Sequence, residues 1–255
     1  GTQRPSVTGG MDWPKILEIA GYFHRYNHFQ EDWMGAFGMP GLVQGQWVGY
    51  GSSSEGAARF EIWANLLSGS HLIAYYKLMQ GTSPNQDMAP ATHDLRLRPY
   101  YQFVADEMPR VQKGVGRLVL ACAPQHDPIA LYYSQPTYSL PTTMRIDSLG
   151  ATYALKRLLE DCGFRHTVVD SRDVATGILA KNGVKLLLLP QIAAVSPAER
   201  DALTAFVKAG GVVVADQKAG LCDEHGKSPR DGGLLDGLFG LRAASAGAPT
   251  AAAFS

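Results

Sequence analysis

Val184-Lys185-Leu186-Leu187-Leu188-Leu189-Pro190, then Ser196-Pro197-Ala198-Glu199, then Gly210-Gly211-Val212-Val213-Val214-Ala215 decide the fold of the C-terminal part. The first run is apolar from Val184 to Leu189 except for Lys185, as expected of a strand in a parallel sheet covered on both faces. The second is a helix start: a capping hydroxyl, a proline at the first helical position and a glutamate three residues after the cap form a capping box. The spacing predicts a helix to Ala209, ended by Gly210-Gly211, and a further buried strand over Val212 to Ala215.

Working outward, Ile129-Ala130-Leu131-Tyr132-Tyr133 reads as a strand bounded by Pro128 and by Ser134-Gln135-Pro136. Asp147 to Cys162 carries Leu149, Tyr153, Leu155, Leu158 and Leu159 near helical spacing and is stopped by Gly163. Thr167 to Asp170 is a short strand, and a helix from about Arg172 ends at Asn182-Gly183. Strand–helix alternation with short connections implies right-handed crossovers and a doubly wound sheet with helices on both faces. Toward the N-terminus the alternation continues, with strands over Pro5 to Thr8, Tyr22 to Tyr26, Leu42 to Tyr50 and Leu72 to Tyr76. Helices are expected over Trp13 to Ala20, Glu31 to Phe37, Glu55 to Leu67 and, after a long loop, Leu97 to Lys113. Four such units cannot close a β/α barrel, which needs eight in about 250 residues. This part is therefore a small open sheet or the second half of a barrel. Beyond Arg242 the Ala-rich stretch reads as a tail or linker.

Composition narrows the function classes. The chain has 255 residues, 45% apolar and 18% charged, enough for one large or two ordinary domains with a packed core. Its 23 basic residues balance its 23 acidic ones, so no field of one sign gathers nucleic acid or an anionic membrane. The longest apolar run is too short to span a bilayer. Gly1-Thr2-Gln3-Arg4-Pro5 has no apolar stretch behind its charge and is no signal peptide. A soluble protein is expected, cytoplasmic or exported by a signal outside this chain. Cys122, Cys162 and Cys222 are too far apart for a CxxC or Cys/His cluster, which points away from structural zinc and toward free, mostly buried thiols. No cofactor is implied.

A family resemblance rests on particular residues. His126 to Pro136, Lys185 to Pro190, Gly210 to Asp216, Asp223-Glu224-His225-Gly226 and Gly233 to Gly240 resemble, in order and spacing, the β-galactosidase trimerisation domain of glycoside hydrolase family 42 and its relatives. Asp12-Trp13-Pro14-Lys15, Gln46 to Gly51 and Arg59 to Gly69 look like pieces of the last four units of that family's barrel. The resemblance implies an α/β chain in which residues 1–120 form the C-terminal half of a TIM-like barrel. Residues 121–242 would form a flavodoxin-like or class I glutamine amidotransferase-like doubly wound domain, and 243–255 a tail. It further implies a retaining glycosidase acting on a β-linked sugar when whole, a carbohydrate partner and a homo-oligomer, a trimer. The alternative is a non-catalytic carbohydrate-binding or oligomerisation protein on the same scaffold.

Retaining glycosidases use two carboxylates about 5–5.5 Å apart, placed where strands end and βα loops begin. The family's acid/base follows the fourth barrel strand, which this chain does not contain. Its nucleophile ends the seventh, placed here at Leu42 to Tyr50, which holds Gln44 and Gln46 but no carboxylate. Gln46, near that position, has the shape of glutamate and cannot form the glycosyl ester. Glu31 follows a strand at the correct end and is the remaining catalytic candidate, although a carboxylate there also suits a helix start. Tyr26, Asn27, Trp47, Tyr76 and Lys77 lie near strand ends and are the substrate-binding candidates. Sugars stack apolar C–H patches on aromatic faces while amide and cationic groups meet their hydroxyls. For Tyr22, Tyr75 and Trp63 packing between strands and helices is at least as good a reading as sugar binding. In the doubly wound part the turn Pro190-Gln191-Ile192 carries no cysteine, and no glycine-rich phosphate loop follows a strand. By elimination that part is structural or oligomerising.

Overall fold

The computed structural model describes residues 11–25, 31–48, 54–75, 91–92, 94–229 and 232–241. The strand expected over Pro5 to Thr8 and the Ala-rich tail lie outside them. The chain divides into two compact units, one over Asp12–Gln125 and one beginning at His126.

In the first unit α1 (Trp13–Leu17) precedes β1 (Tyr22–Arg25), α2 (Glu31–Phe37), β2 (Val43–Val48), α3 (Glu55–Leu67) and β3 (Leu72–Tyr75). The strands form a parallel sheet in the order β1-β2-β3, so each helix carries the chain to the next strand in line. Asp12 caps α1 through Lys15 N, and Ser54 caps α3 through Ala57 N. α4 (Pro99–Arg110) begins at a proline and packs with α3 around Ala58, Ile62, Tyr101 and Val104. The helix expected to stop near Lys113 instead continues through a wide turn, Val111–Val115, into α5 (Gly116–Ala121). Gly114 sits there at φ 135°, a conformation open to glycine, so the chain kinks and resumes where a stop was expected.

The second unit contains β4 (Ile129–Tyr133), α6 (Gln135–Tyr138), α7 (Ser148–Asp161), β5 (Thr167–Asp170), α8 (Ser171–Ala175), α9 (Ile178–Lys181), β6 (Leu186–Leu189), α10 (Pro197–Lys208), β7 (Val212–Ala215) and α11 (Asp236–Phe239). The sheet is parallel throughout, in the order β5-β4-β6-β7. Ala130, Tyr132, Leu187 and Leu189 pack against Val174, Leu179, Leu203 and Phe206 of α8, α9 and α10. Tyr133 points the other way by strand alternation. It stacks on Tyr138 with ring centroids 4.9 Å apart, and Tyr138 in turn meets Thr152 of α7. Helices therefore cover both faces. The capping box is present: Ser196 Oγ accepts from Glu199 N, and Glu199 Oε2 accepts from Ser196 N at 2.8 Å.

Three expectations change in this unit, and a fourth changes across the chain. The helix expected from Arg172 to Asn182 is two short ones, because Gly177 at φ 78° interrupts it. α6 was not anticipated; Ser134 Oγ accepts from Thr137 N and Pro136 lies in the first turn, so a capping serine and an early proline start it as they start α10. β7 is not buried: it is an edge strand, with Val212 54% and Val214 48% exposed, since only its Val213 and Ala215 reach the core. Cys122 and Cys162 are exposed, each following a helix end, and only Cys222 is a buried thiol.

Candidate functional site

Register partners of parallel strands point to the same side of a sheet, and neighbours along a strand to opposite sides. In the first unit one side faces helices. Phe23 meets Trp13 of α1 at 5.1 Å, and Tyr75 meets Tyr101 of α4 at 5.4 Å, with Ile73 in the same cluster. Gln44 pairs in register with Phe23, Gln46 with Ile73 and Val48 with Tyr75, so all three belong to the helix-facing side. Gln46 is 4% exposed there. The residue read as nearest the nucleophile position thus lies inside the sheet–helix layer, two residues before the strand ends. The reason is parity: one step along β2 exchanges the faces.

The opposite side carries Tyr22, His24, Val43, Trp47, Leu72 and Ala74. Tyr22, Val43 and Leu72 are exposed, which departs from the packing reading of Tyr22. His24 stacks on Trp47 with ring centroids 4.6 Å apart and planes 30° from parallel. Tyr22 Oη and His24 Nδ1 are hydrogen-bonded at 2.8 Å, and the two rings meet edge to face at 5.5 Å. Burial pushes the imidazole below its ordinary value, opposed in part by the Gln46 backbone. Gly45 makes this possible: a Cβ there would fall 2.7 Å from His24 Cδ2 and 2.9 Å from Nε2. Glycine inside a strand marks such a close approach.

Of the substrate-binding candidates, the structure brings Trp47 onto this open face. Tyr26, Asn27, Tyr76 and Lys77 lie outside the described residues. Glu31 is the first residue of α2, at the end of the sheet where the β1–α2 connection runs. Sequence reasoning missed His24; alternation sets it on the face of Tyr22, and only the register of β1 with β2 puts it opposite Gly45, two residues before Trp47. Trp63 takes the packing reading: its Nε1 donates to the buried Glu107 at 3.1 Å.

In the second unit the strand order reverses between β4 and β6, and open parallel sheets take ligands in the crevice beyond the carboxyl ends at such a point. Here the protein's own chain occupies those hydrogen-bonding groups. Ser148 Oγ donates to Pro190 O at 2.7 Å, Asp147 N to Gln191 Oε1 at 2.9 Å, and Lys218 Nζ to Arg145 O at 2.6 Å. Gln191 follows β6 with φ 45°, a sharp strand-end turn. Its amide N–H donates to Asp216 Oδ1 at 2.6 Å instead of facing an open cleft. Burial lifts the Asp216 carboxyl above its ordinary value, against the Gln191 hydrogen bond that lowers it. Cys222 is fully buried, its thiol pushed up by burial and then by Asp223. A thiol so placed is a poor nucleophile. Among the described residues no group of three His, Cys, Asp or Glu side chains is placed to hold a metal ion. No described helix is long and apolar enough to cross a membrane.

These features define an α/β protein with parallel sheets, one wound in sequence and one doubly wound. No family model and no curated protein matches the chain at the sequence level. Solved structures do match. A β-galactosidase from Bacillus circulans sp. alkalophilus superposes with TM-score 0.71 at 14% identity, over 89% of this chain and 37% of that one. A β-galactosidase from the psychrophilic Marinomonas ef1 gives 0.62 at 19% identity, over 82% of this chain and 34% of that one. A GH42 exo-carrageenase from Bacteroides ovatus gives 0.52 at 12%, over 79% and 28%. The chain therefore has the fold of glycoside hydrolase family 42 β-galactosidases over most of its length, and spans about a third of theirs.

Proposed function

We propose that this chain is the C-terminal portion of a β-galactosidase-like glycoside hydrolase, which cleaves a β-linked sugar by a retaining two-carboxylate mechanism when whole. In this reading β1–β3 are consecutive strands of a β/α-barrel wall and their open face looks into the barrel. The second unit is an assembly domain, and the protein is a homo-oligomer, a trimer. The observation that carries the reading is the likeness of fold to β-galactosidases over 82–89% of the chain. An apolar face on a parallel sheet supports it, because such sheets are stable when covered on both sides. The self-occupied crevice and nucleophile-free turn of the second unit support its assembly role.

The barrel's acid/base would come from a strand absent here, so the 255-residue chain by itself does not hydrolyse β-galactosides. The test is to read the coding sequence upstream of Gly1 for a strand ending in Asn-Glu, and to assay the extended protein on a nitrophenyl β-galactoside. Turnover by the extended protein and none by the chain alone is the expected result. Robust turnover by the chain alone, abolished by Glu31→Gln, would place the site at Glu31.

A second reading is favoured by one observation: β2, Val43-Gln44-Gly45-Gln46-Trp47-Val48, holds no carboxylate. On that account the scaffold binds carbohydrate without cleaving it. An extended protein that binds a galactoside and never hydrolyses one would establish it.

A further inference from the structure

The open face of the first unit contains one side chain whose placement exceeds what packing requires. His24 lies on the side of the sheet opposite α1 and α4, and it is held from three directions. Tyr22 Oη fixes its Nδ1 edge at 2.8 Å, the missing Cβ of Gly45 admits its ring against β2, and the Trp47 indole lies 4.6 Å from it, nearly parallel. Any residue other than glycine at position 45 would lift the imidazole off the strand, since even a methyl group would sit 2.7 Å from its Cδ2. The stack spans two strands, and Trp47 is the second-last residue of β2, toward the end at which barrels of this kind build sites. An indole with one face against a fixed ring has lost its freedom to rotate away. A ligand that stacks on it then binds without first ordering it.

We propose that His24 is a positioning residue for Trp47, holding the indole as a stacking platform for a galactoside ring. The galactoside part rests on the functional reading above; the positioning part rests on the geometry of Tyr22, His24, Gly45 and Trp47. The imidazole acts through the indole and makes no contact with the sugar.

Two readouts on the full chain separate the parts. The first is the Trp47 indole N–H resonance, assigned with Trp47→Phe, which needs no ligand. His24→Ala and Gly45→Ala should both shift and broaden it while leaving the Trp13 and Trp33 indoles in place; His24→Phe, which keeps a flat ring, should restore it. The second is titration with isopropyl β-D-thiogalactoside, which is not hydrolysed. Trp47→Phe should weaken binding, His24→Ala should weaken it roughly three- to tenfold, the range of aromatic-pair energies, and His24→Phe should recover it. An unmoved Trp47 resonance in His24→Ala overturns the positioning role. A Trp47→Phe loss with no His24→Ala loss overturns the link from positioning to binding. If the wild-type chain binds no thiogalactoside, the sugar assignment is overturned, and the indole resonance still decides the positioning role by itself.

Discussion

Asp216 shows how a single carboxylate can be held against its own preference. Its Oδ1 accepts the amide N–H of Gln191, which sits at φ 45° in the turn after β6, in a hydrogen bond at the surface. Burial outweighs the hydrogen bond and raises the carboxyl above 3.8. A carboxyl whose folded value is raised gives stability that is fully present below its unfolded value and lost as pH rises through the folded one. Asp216→Asn keeps an oxygen acceptor and removes the charge. It should therefore be at least as stable as wild type at pH 7, with the difference vanishing near pH 3 in urea titrations. Asp216→Ala removes the acceptor and should cost about 1 kcal/mol at neutral pH. A lower stability of Asp216→Asn at pH 7 would show that the negative charge itself matters, through Lys218 or another cation. Tyr132 gives a second case. Its hydroxyl donates to Glu199 in the core, and burial, then the Glu199 charge, raise the phenol well above its ordinary value. Tyr132→Phe leaves a buried carboxylate oxygen without its donor and should cost about 1–3 kcal/mol.

At the scale of elements, three local devices agree on α10. Pro197 opens it, Ser196 and Glu199 cap one another, and Leu203 and Phe206 bury its inner face. Glu199 has a double task, closing the cap with Oε2 and accepting from Tyr132 with Oε1. Ser196→Ala should lower unfolding free energy by about 1 kcal/mol, while Glu199→Ala should cost more than Ser196→Ala and Tyr132→Phe taken singly. Equal losses for Ser196→Ala and Glu199→Ala would mean that the cap is the whole of the glutamate's role. The turn after α10 is as tightly specified. Gly211 faces the Phe206 ring, and a Cβ there would lie 2.3 Å from its Cζ. Gly211→Ala forces either the ring or β7 to move, an overpacking cost of about 1–3 kcal/mol.

At the scale of the whole molecule, exposed apolar surface lies in each unit and points to association. In the first unit it is the sheet face bearing Tyr22, Val43 and Leu72; in the second it is the edge strand with Val212 and Val214. Unpaired strand edges and uncovered apolar faces both invite a partner. The two surfaces make different predictions in light scattering. Closed assembly through the second unit should give one discrete mass, retained by a chain truncated to start near Gln125 and reduced to monomer by Val214→Lys. Association through the first unit should give polydisperse species that the truncation removes and that Leu72→Lys reduces. A strictly monomeric truncated chain at high concentration would exclude the second unit as sole interface.

Much of this architecture was legible without coordinates. The runs Ile129 to Tyr133, Thr167 to Asp170 and Val212 to Ala215 determine their strands unaided, because β-branched and aromatic residues between turn signals have few other conformations that bury them. The Ser-Pro-x-Glu start of α10 and the apolar spacing of α7 likewise rest on neighbours in sequence. What sequence alone did not decide is what those elements meet. That β7 is an edge strand depends on strand order, a long-range fact invisible in four apolar letters. That Gly114 bends a helix and Gly177 divides one depends on the packing at each place, since glycine permits both outcomes. Which face of β2 looks outward was decided by register with β1 and β3, and it moved the interest from Gln46 to Trp47. His24 became visible only when the fold laid it over Gly45, twenty-one residues further along the chain, because a stack between strands is written in the pairing and not in either strand.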